Sequence, residues 1–173
     1  MVTIIAGSNR SENYTLKVAE KYRDLMSERG LENRLFSLDN IPSIPLDDAI
    51  YKKGNHELRD FGHSLFNNSD RLVLVVPEYN GSIPGVLKLL IDACDPKLFK
   101  GKRFALVGVS SGRAGNLRGM DHLTDIFHYL QAEVYSLKQP VSQIHKLVNA
   151  EKELVDEPTI ITLIKHIEGF TTF

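Results

Sequence analysis

The sequence predicts an α/β fold in which a parallel β-sheet is covered by helices on both faces. Short runs that are almost wholly apolar, such as Val2–Ala6 and Arg71–Val76, are typical of strands buried on both faces of a sheet. They alternate with segments whose apolar residues recur every three or four positions, and this alternation indicates βαβ units. Five such strands in 173 residues best fit a three-layer sandwich with the flavodoxin-like strand order 2-1-3-4-5.

The elements before residue 70 are marked by residue type and spacing. Val2–Ala6 is rich in β-branched residues and ends at Gly7, as a buried strand does. Over residues 15–29 the apolar residues share one helical face, and Gly30 is a natural stop for that helix. The pattern then predicts a strand at Asn33–Leu38, a proline-marked loop at 41–45, and a helix over 56–68 that Gly62 weakens.

The rest of the chain repeats this alternation. Its predicted elements are a strand at Arg71–Val76, a helix at Pro84–Ala93, a strand at Phe104–Val109, a helix at Asn116–Leu130 and a strand at Glu133–Tyr135. A last helix is predicted from the shared face of Ile160, Leu163, Ile164 and Ile167, with Pro158 close to its first turn.

Composition and charge exclude several classes of function. The chain has 21 basic and 22 acidic residues, and this near-neutral balance gives no field that would attract nucleic acid or an anionic membrane. Cys94 is the single cysteine, which excludes an internal disulfide and favours a reducing compartment. The N-terminus does not resemble a signal peptide, and no apolar run is long enough to cross a membrane. We therefore expect residues 1–173 to form one cytoplasmic domain.

Three loops of unusual composition follow the first, third and fourth predicted strands. They span residues 7–15, 77–85 and 110–116 and are rich in Gly, Ser, Asn and Pro. In the order 2-1-3-4-5 these loops meet at the switch point of the sheet, where ligands bind in open α/β folds. We therefore expect the functional site there.

The first loop is suited to bind an anion. Ser8, Asn13 and Thr15 offer hydroxyl and amide groups, Arg10 adds a positive charge, and the N-terminus of the next helix points at the loop. The loop has neither the dinucleotide fingerprint nor the Walker pattern, which favours a mononucleotide phosphate. Alternatively, its Ser and Asn residues only cap the helix.

The second loop reads PEYNGSIPG and is suited to frame a flat ring. Gly81 and Gly85 would let a ring approach the backbone, and Pro84 suits the start of a helix. We expect backbone N–H groups from Tyr79 to Ser82 to face an edge of the ring, and the Tyr79 side chain to lie beside it. A tight turn with an exposed tyrosine is the simpler alternative.

A more specific resemblance lies in two stretches, GSNR at Gly7–Arg10 and PEYNGSIPGVLK at Pro77–Lys88. In these stretches, and more broadly over residues 2–130, the chain resembles the NAD(P)H-dependent FMN reductase family of flavodoxin-like proteins. The resemblance implies that the Ser8–Thr15 loop holds the FMN phosphate. It also implies that the isoalloxazine ring is bordered on one side by Pro77, Glu78, Tyr79, Asn80, Gly81 and Ser82, and on the other by the loop with Ser111, Gly112 and Gly115. The chain departs from the family pattern at Glu12 and Tyr14, which stand among the phosphate-loop residues.

This resemblance also implies a function and an assembly. NADPH or NADH would reduce bound FMN by hydride transfer, and the electrons would pass to a small acceptor such as a flavin, a quinone, an azo compound or a metal oxyanion. Arg113 and Arg118 could meet the phosphates of the nicotinamide cofactor. Family members are commonly homodimers or homotetramers.

The sequence also allows two alternative functions. Gly108-Val109-Ser110-Ser111-Gly112 matches the G-x-S-x-G pattern of serine hydrolases, with Asp125 and His145 later in the chain, although a helix does not follow Ser110 at once. A flavodoxin-type electron carrier would use the same fold. Such carriers are usually strongly acidic and cover the flavin ring with aromatic side chains, often Trp, whereas this chain has a net charge of −1 and no Trp. The histidines show no paired metal-binding spacing, so no metal site is predicted.

Overall fold

A parallel sheet forms the centre of the structure, which is a computed structural model that describes residues 1–43, 56–67 and 69–173. Its strands in these ranges are β1 (Val2–Ala6), β2 (Asn33–Ser37), β3 (Arg71–Pro77), β4 (Arg103–Val109), β5 (Glu133–Val134) and β6 (Gln139–Val141). Its α-helices in these ranges are α1 (Tyr14–Ser27), α2 (His56–Phe66), α3 (Gly85–Ala93), α4 (Leu117–Tyr129) and α5 (Glu157–Thr172).

The predicted strand order is confirmed, since the sheet runs β2-β1-β3-β4-β5 with parallel pairing throughout. The fifth position is divided, because β6 also pairs with β4 beyond the end of β5. Between the two segments Tyr135 turns its ring towards α5 and contacts His166 and Phe170. Pro140 is tolerated within β6 because an edge strand can lack one backbone donor.

Burial on both faces of the sheet is also confirmed, and it gives the three predicted layers. Leu72, Leu74 and Val76 of β3 pack into one core cluster with residues of α2, α3 and α4. The alternate residues Val73 and Val75 pack into a second cluster with residues of α1 and α5. Successive residues of a strand face opposite sides, so a continuous apolar run buries both faces.

The predicted element bounds differ from the structure by a few residues. Helix α1 begins at Tyr14 because Asn13 caps it. Gly62 lies inside α2, where a Cβ atom would collide with the sulfur of Cys94; the glycine therefore allows α2 to approach α3 closely.

Residues 44, 45 and 68 of the predicted loop and helix lie outside the described residues. Within the described ranges, no helix is long and apolar enough to cross a membrane.

Helices α1 and α5 are joined by a buried polar pair. The hydroxyl of Tyr22 and Nδ1 of His166 are hydrogen-bonded at 2.9 Å, and both side chains are fully buried. Burial lowers the pKa of His166 from its ordinary value near 6.5 to about 4, and it raises the pKa of Tyr22 well above its usual range. His166 is therefore neutral in the folded protein at physiological pH.

This pair predicts a loss of stability in mild acid. Between pH 6.5 and 4 the unfolded chain binds a proton at residue 166 that the folded chain does not bind, so unfolding becomes more favourable as pH falls. We expect the free energy of unfolding to decrease by about 2–3 kcal/mol over that window. Urea unfolding of the wild type and of His166→Asn, which keeps a polar atom near the Nδ1 position but does not titrate, measures this. Equal pH slopes for the two proteins would contradict the assignment.

Candidate functional site

The loops after β1, β3 and β4 meet at the carboxyl edge of the sheet, as the sequence predicts. They enclose a cleft of about 280 Å³. Its lining residues are Ser8, Arg10, Ser11, Glu12, Asn13, Tyr14, Thr15, Pro77, Glu78, Tyr79, Val109, Ser110, Ser111 and Ile144. The three loops therefore shape one site.

The predicted site residues divide into two groups by position. Those that line the cleft are Ser8, Arg10, Asn13, Thr15, Pro77, Glu78, Tyr79 and Ser111. Those that lie in the same loops but outside its lining are Asn80, Gly81, Ser82, Gly112, Arg113 and Gly115. In the second group, Asn80, Gly81 and Gly115 have positive φ and so shape the paths of their loops.

The first loop presents the N-terminus of α1 to the cleft. The Asn13 Oδ1 atom accepts a hydrogen bond from the Leu16 N–H at 2.7 Å, and its Nδ2 group donates to the Arg10 carbonyl. The Asn13 side chain is thus occupied by the loop itself, as the capping alternative expects. Ser8 and Thr15 are buried, Arg10 is exposed, and the first-turn N–H groups of a helix have no partners within the helix.

Glu12 of this loop has a partner that the sequence did not reveal. Its Oε2 atom forms an ion pair at 3.1 Å with Nζ of Lys152, which follows the sheet in the chain. Because Lys152 lies 140 residues further along, no local pattern could have linked the two residues.

The second loop contains a two-residue reverse turn. The N–H of Tyr79 donates to the Ser82 carbonyl and the N–H of Ser82 donates to the Tyr79 carbonyl, both at 3.0 Å. Asn80 and Gly81 between them have φ of 50° and 75°, as a type I′ turn requires. The expectation that all four N–H groups from Tyr79 to Ser82 face a ring is therefore wrong for Tyr79 and Ser82, whose N–H groups close the turn.

The hydroxyl of Tyr79 is a buried polar group that lacks a partner. It belongs to a residue that lines the cleft, and no hydrogen-bond partner for it exists in the described part of the chain. Leaving a buried hydroxyl unpaired costs about 1–3 kcal/mol, so such a group points to a ligand or to a special role.

The third loop is held together by Ser110. Its Oγ atom donates to the Gly112 carbonyl at 2.9 Å and accepts from the Gly115 N–H at 3.0 Å. Gly115 has a φ of 56°, and a Cβ atom there would collide with Pro140. The loop is also tied to the segment after β6, because Ser142 Oγ donates to the Arg113 carbonyl at 2.8 Å.

These contacts do not support the hydrolase alternative. The Ser110 hydroxyl is engaged with backbone groups, and α4 begins seven residues later, at Leu117, whereas a nucleophile elbow leads directly into a helix. Asp125 and His145 are exposed, and among the described residues neither forms a hydrogen bond with Ser110.

Asn116 supports the site from outside its lining, a role that the sequence did not predict. It is fully buried, with a φ of 61°, and its Oδ1 atom accepts from the Gly119 N–H at the start of α4. Its Nδ2 group donates to the carbonyls of Val76 and Pro77, at 3.1 and 3.0 Å. An asparagine before an amphipathic helix predicts a cap, but its tie to the loop after β3 could be seen only in the fold.

Helix α4 also braces the turn of the second loop. The Ser82 hydroxyl and His122 Nδ1 are hydrogen-bonded at 2.8 Å. A Cβ atom on Gly81 would lie 3.7 Å from Nη1 of Arg118, so this guanidinium lies beside the turn. Arg118 is thus close to the loop that frames the cleft, whereas the sequence could place it only on a helix.

Other reactive groups do not contribute to the site. Burial raises the pKa of the Cys94 thiol to about 12, so it is not a nucleophile at neutral pH. Within residues 1–43, 56–67 and 69–173, no cluster of His, Cys, Asp and Glu could hold a metal ion.

The chain is similar to several known reductases. A family model described as NADPH-dependent FMN reductase matches residues 1–145. An NAD(P)H-dependent FMN reductase from Pseudomonas aeruginosa is 31% identical over 159 residues, which cover 88% of this chain and 83% of that protein. A 2-hydroxy-1,4-benzoquinone reductase from a Burkholderia species is 28% identical over 167 residues, covering 91% of this chain and 87% of that protein. Among solved structures, the flavoenzyme FerB from Paracoccus denitrificans, an NAD(P)H:(acceptor) oxidoreductase, superposes with a TM-score of 0.79. The superposition covers 99% of this chain and 94% of that one at 24% sequence identity, which shows a shared fold.

The two functions of the Asn116 side chain can be separated by one substitution. Asn116→Asp keeps the acceptor that caps α4 but places carboxylate oxygens against the carbonyls of Val76 and Pro77. We expect the free energy of unfolding to fall by about 2–4 kcal/mol in urea denaturation without added flavin. Asn13→Asp is the matched control, since it also keeps a helix cap but loses only an exposed donor, and it should cost less than about 1 kcal/mol. Equal losses in the two variants would show that the Asn116 tie contributes nothing.

Proposed function

Since the chain belongs to the NADPH-dependent FMN reductase family, we propose that residues 1–173 form a single FMN-binding domain that passes electrons from NADPH or NADH to a quinone-type acceptor. Members of this family are flavoprotein oxidoreductases with FMN as cofactor and NAD(P)H as reductant. The observation that carries the proposal is the meeting of three loops in one cleft at the switch point of the sheet.

The residues of the cleft fit FMN in their chemistry. The buried hydroxyl of Tyr79 lacks a partner and could pair with a polar atom of the flavin. The other lining groups near Tyr79 are Pro77, Glu78, Val109 and Ser111, which combine apolar surface with polar groups, as ligand sites commonly do.

The first loop would hold the phosphate. Arg10 supplies a cation, Ser8 and Thr15 supply hydroxyl groups, and the N-terminus of α1 supplies oriented N–H groups. Asn13 would act indirectly, because its side chain already fixes the loop.

The second and third loops would border the ring from two sides. In the second loop, the N–H groups of Asn80 and Gly81 are not used to close the turn, so they are the backbone donors available to a ring edge. In the third loop, Ser111 lines the cleft, while Gly112 and Gly115 set its path. Arg113 is exposed in the third loop, and Arg118 is exposed beside the turn of the second loop. Both would meet the phosphates of the nicotinamide cofactor.

Bound FMN would supply the redox chemistry, accepting a hydride from NAD(P)H and passing electrons to the acceptor. The chain then needs only to bind, orient and shield the cofactor. This agrees with a cleft in which the Ser110 hydroxyl is hydrogen-bonded to backbone groups. Quinone is proposed as the acceptor because relatives from Burkholderia and Escherichia coli are named as quinone reductases. A homodimer or homotetramer is proposed from the family resemblance. A cytoplasmic location is proposed because the single cysteine is buried and free.

The proposed function is tested by absorption spectroscopy of the purified protein with added FMN. We expect flavin bands that shift on binding and that bleach on anaerobic addition of NADPH or NADH, followed by recovery when a benzoquinone is added. Flavin that binds but is not reduced by either nicotinamide would indicate an electron carrier. No flavin binding would overturn the assignment of the cleft.

The role of Tyr79 is tested by Tyr79→Phe. The hydroxyl is buried without a partner in the free protein, so its removal should leave the free energy of unfolding unchanged or raise it by up to about 1 kcal/mol. If the flavin pairs with this hydroxyl, FMN affinity should fall about three- to tenfold in a fluorescence titration. Tyr129→Phe, at an exposed tyrosine on α4, is the control and should change neither quantity. Loss of stability in Tyr79→Phe with unchanged affinity would give the hydroxyl a structural role instead.

A further inference from the structure

The carboxylate of Glu12 is out of place in a phosphate site. Glu12 lines the cleft beside Arg10 and Ser11, in the loop that would hold the FMN phosphate. A carboxylate repels a phosphate dianion, and this repulsion lowers affinity unless a cation compensates for it. The exposure of the Glu12 side chain, 83%, reduces the repulsion by solvent screening but does not remove it.

Lys152 is the cation that compensates for it. Its Nζ atom lies 3.1 Å from Glu12 Oε2, and among the described residues no other basic side chain pairs with Glu12. Lys152 does not itself line the cleft, so its ammonium group meets Glu12 from outside. The pair bridges the first loop and a segment beyond residue 145, where the family match ends.

The segment that carries Lys152 is a well-braced hairpin. Val148 and Leu154 form an antiparallel bridge, and Leu154 is buried in the core cluster under α1. Inside the bridge, the Lys152 N–H donates to the Asn149 carbonyl at 3.1 Å, and the Glu153 N–H donates to Asn149 Oδ1 at 2.8 Å. The position of Lys152 is therefore fixed by the fold rather than by its contact with Glu12.

Both members of the ion pair have left-handed backbone conformations. Glu12 has a φ of 50° and Lys152 a φ of 62°, which residues with a Cβ atom seldom adopt. Such conformations persist where the surroundings hold them, and they concentrate at ligand sites. Both strained residues belong to one ion pair, and Glu12 of that pair lines the cleft.

We propose that Lys152 is a positioning residue for cofactor binding: it neutralises Glu12 and so sets the affinity of the cleft for the phosphate of FMN. This rests on the proposed function, because it concerns the same cleft. The effect acts through Glu12, since Lys152 lies outside the lining of the cleft.

The test compares FMN with riboflavin, which has the same ring and no phosphate. Lys152→Met keeps an unbranched side chain of nearly the same length but removes the charge. We expect it to weaken FMN binding about three- to tenfold at low ionic strength, and to leave riboflavin binding unchanged, in titrations that follow flavin fluorescence. The difference should shrink to less than about twofold at about 0.5 M salt, because salt screens the charges. Lys152→Arg keeps the charge and should bind FMN like the wild type.

The dependence on Glu12 is tested by a double-mutant cycle. Glu12→Gln removes the carboxylate, so it should bind FMN as tightly as the wild type or up to about threefold more tightly. In Lys152→Met/Glu12→Gln the affinity for FMN should return to within about twofold of Glu12→Gln alone, because no unpaired carboxylate remains. If the double variant stays as weak as Lys152→Met, Lys152 contacts the phosphate directly and the proposal is overturned.

Two further variants make the result specific. Lys88→Met removes an equally charged lysine from an exposed ion pair on α3, with Asp92, and should not change FMN affinity. Arg10→Ala removes a cation that does line the cleft and should weaken FMN binding, as a positive control.

Unchanged FMN affinity in Lys152→Met, or an equal loss for riboflavin, would overturn the role of Lys152 while leaving the proposed function intact. Failure of the wild type to bind FMN would overturn both.

Discussion

The cleft depends on one buried side chain, that of Asn116. Its amide nitrogen donates to two carbonyls at the end of β3, while its oxygen caps α4. Because the side chain is fully buried, each of these polar groups would be costly to leave unpaired. The loop after β4 therefore cannot move away from the loop after β3 without loss of these bonds. The two walls of the cleft are held at a fixed separation by this residue.

Several polar groups of the loops around the cleft form hydrogen bonds within those loops. Asn13 caps α1, Ser110 joins Gly112 and Gly115, and the turn at Tyr79–Ser82 is closed by its own backbone. Groups held in this way are oriented before a ligand arrives, and pre-organisation reduces the entropy lost on binding. Among the described side chains of these loops, the buried group without a partner is the hydroxyl of Tyr79, a residue that lines the cleft. A frame that is ordered before the ligand arrives suits a cofactor that carries the chemistry itself.

Charge at the mouth of the cleft is balanced by residues that are distant in sequence. Arg10 and Glu12 come from the loop after β1, and Lys152 comes from the hairpin before α5. From α4, His122 is hydrogen-bonded to Ser82 in the second loop, and Arg118 lies beside Gly81. The C-terminal part of the chain thus contributes to the site as well as to the core, where His166 pairs with Tyr22.

The amino-acid sequence predicts the fold class, the strand order and the position of the cleft, because apolar period and loop composition are local properties that a parallel sheet converts into layers. For the second loop it left a tight turn as an alternative, and the structure shows such a turn at Asn80–Gly81. It could not determine which N–H groups that turn would use, nor the tie made by Asn116 to β3 and the pairing of Glu12 with Lys152. Those contacts join residues far apart in the chain. Only tertiary packing brings them within hydrogen-bonding distance, so no local pattern of residues carries them.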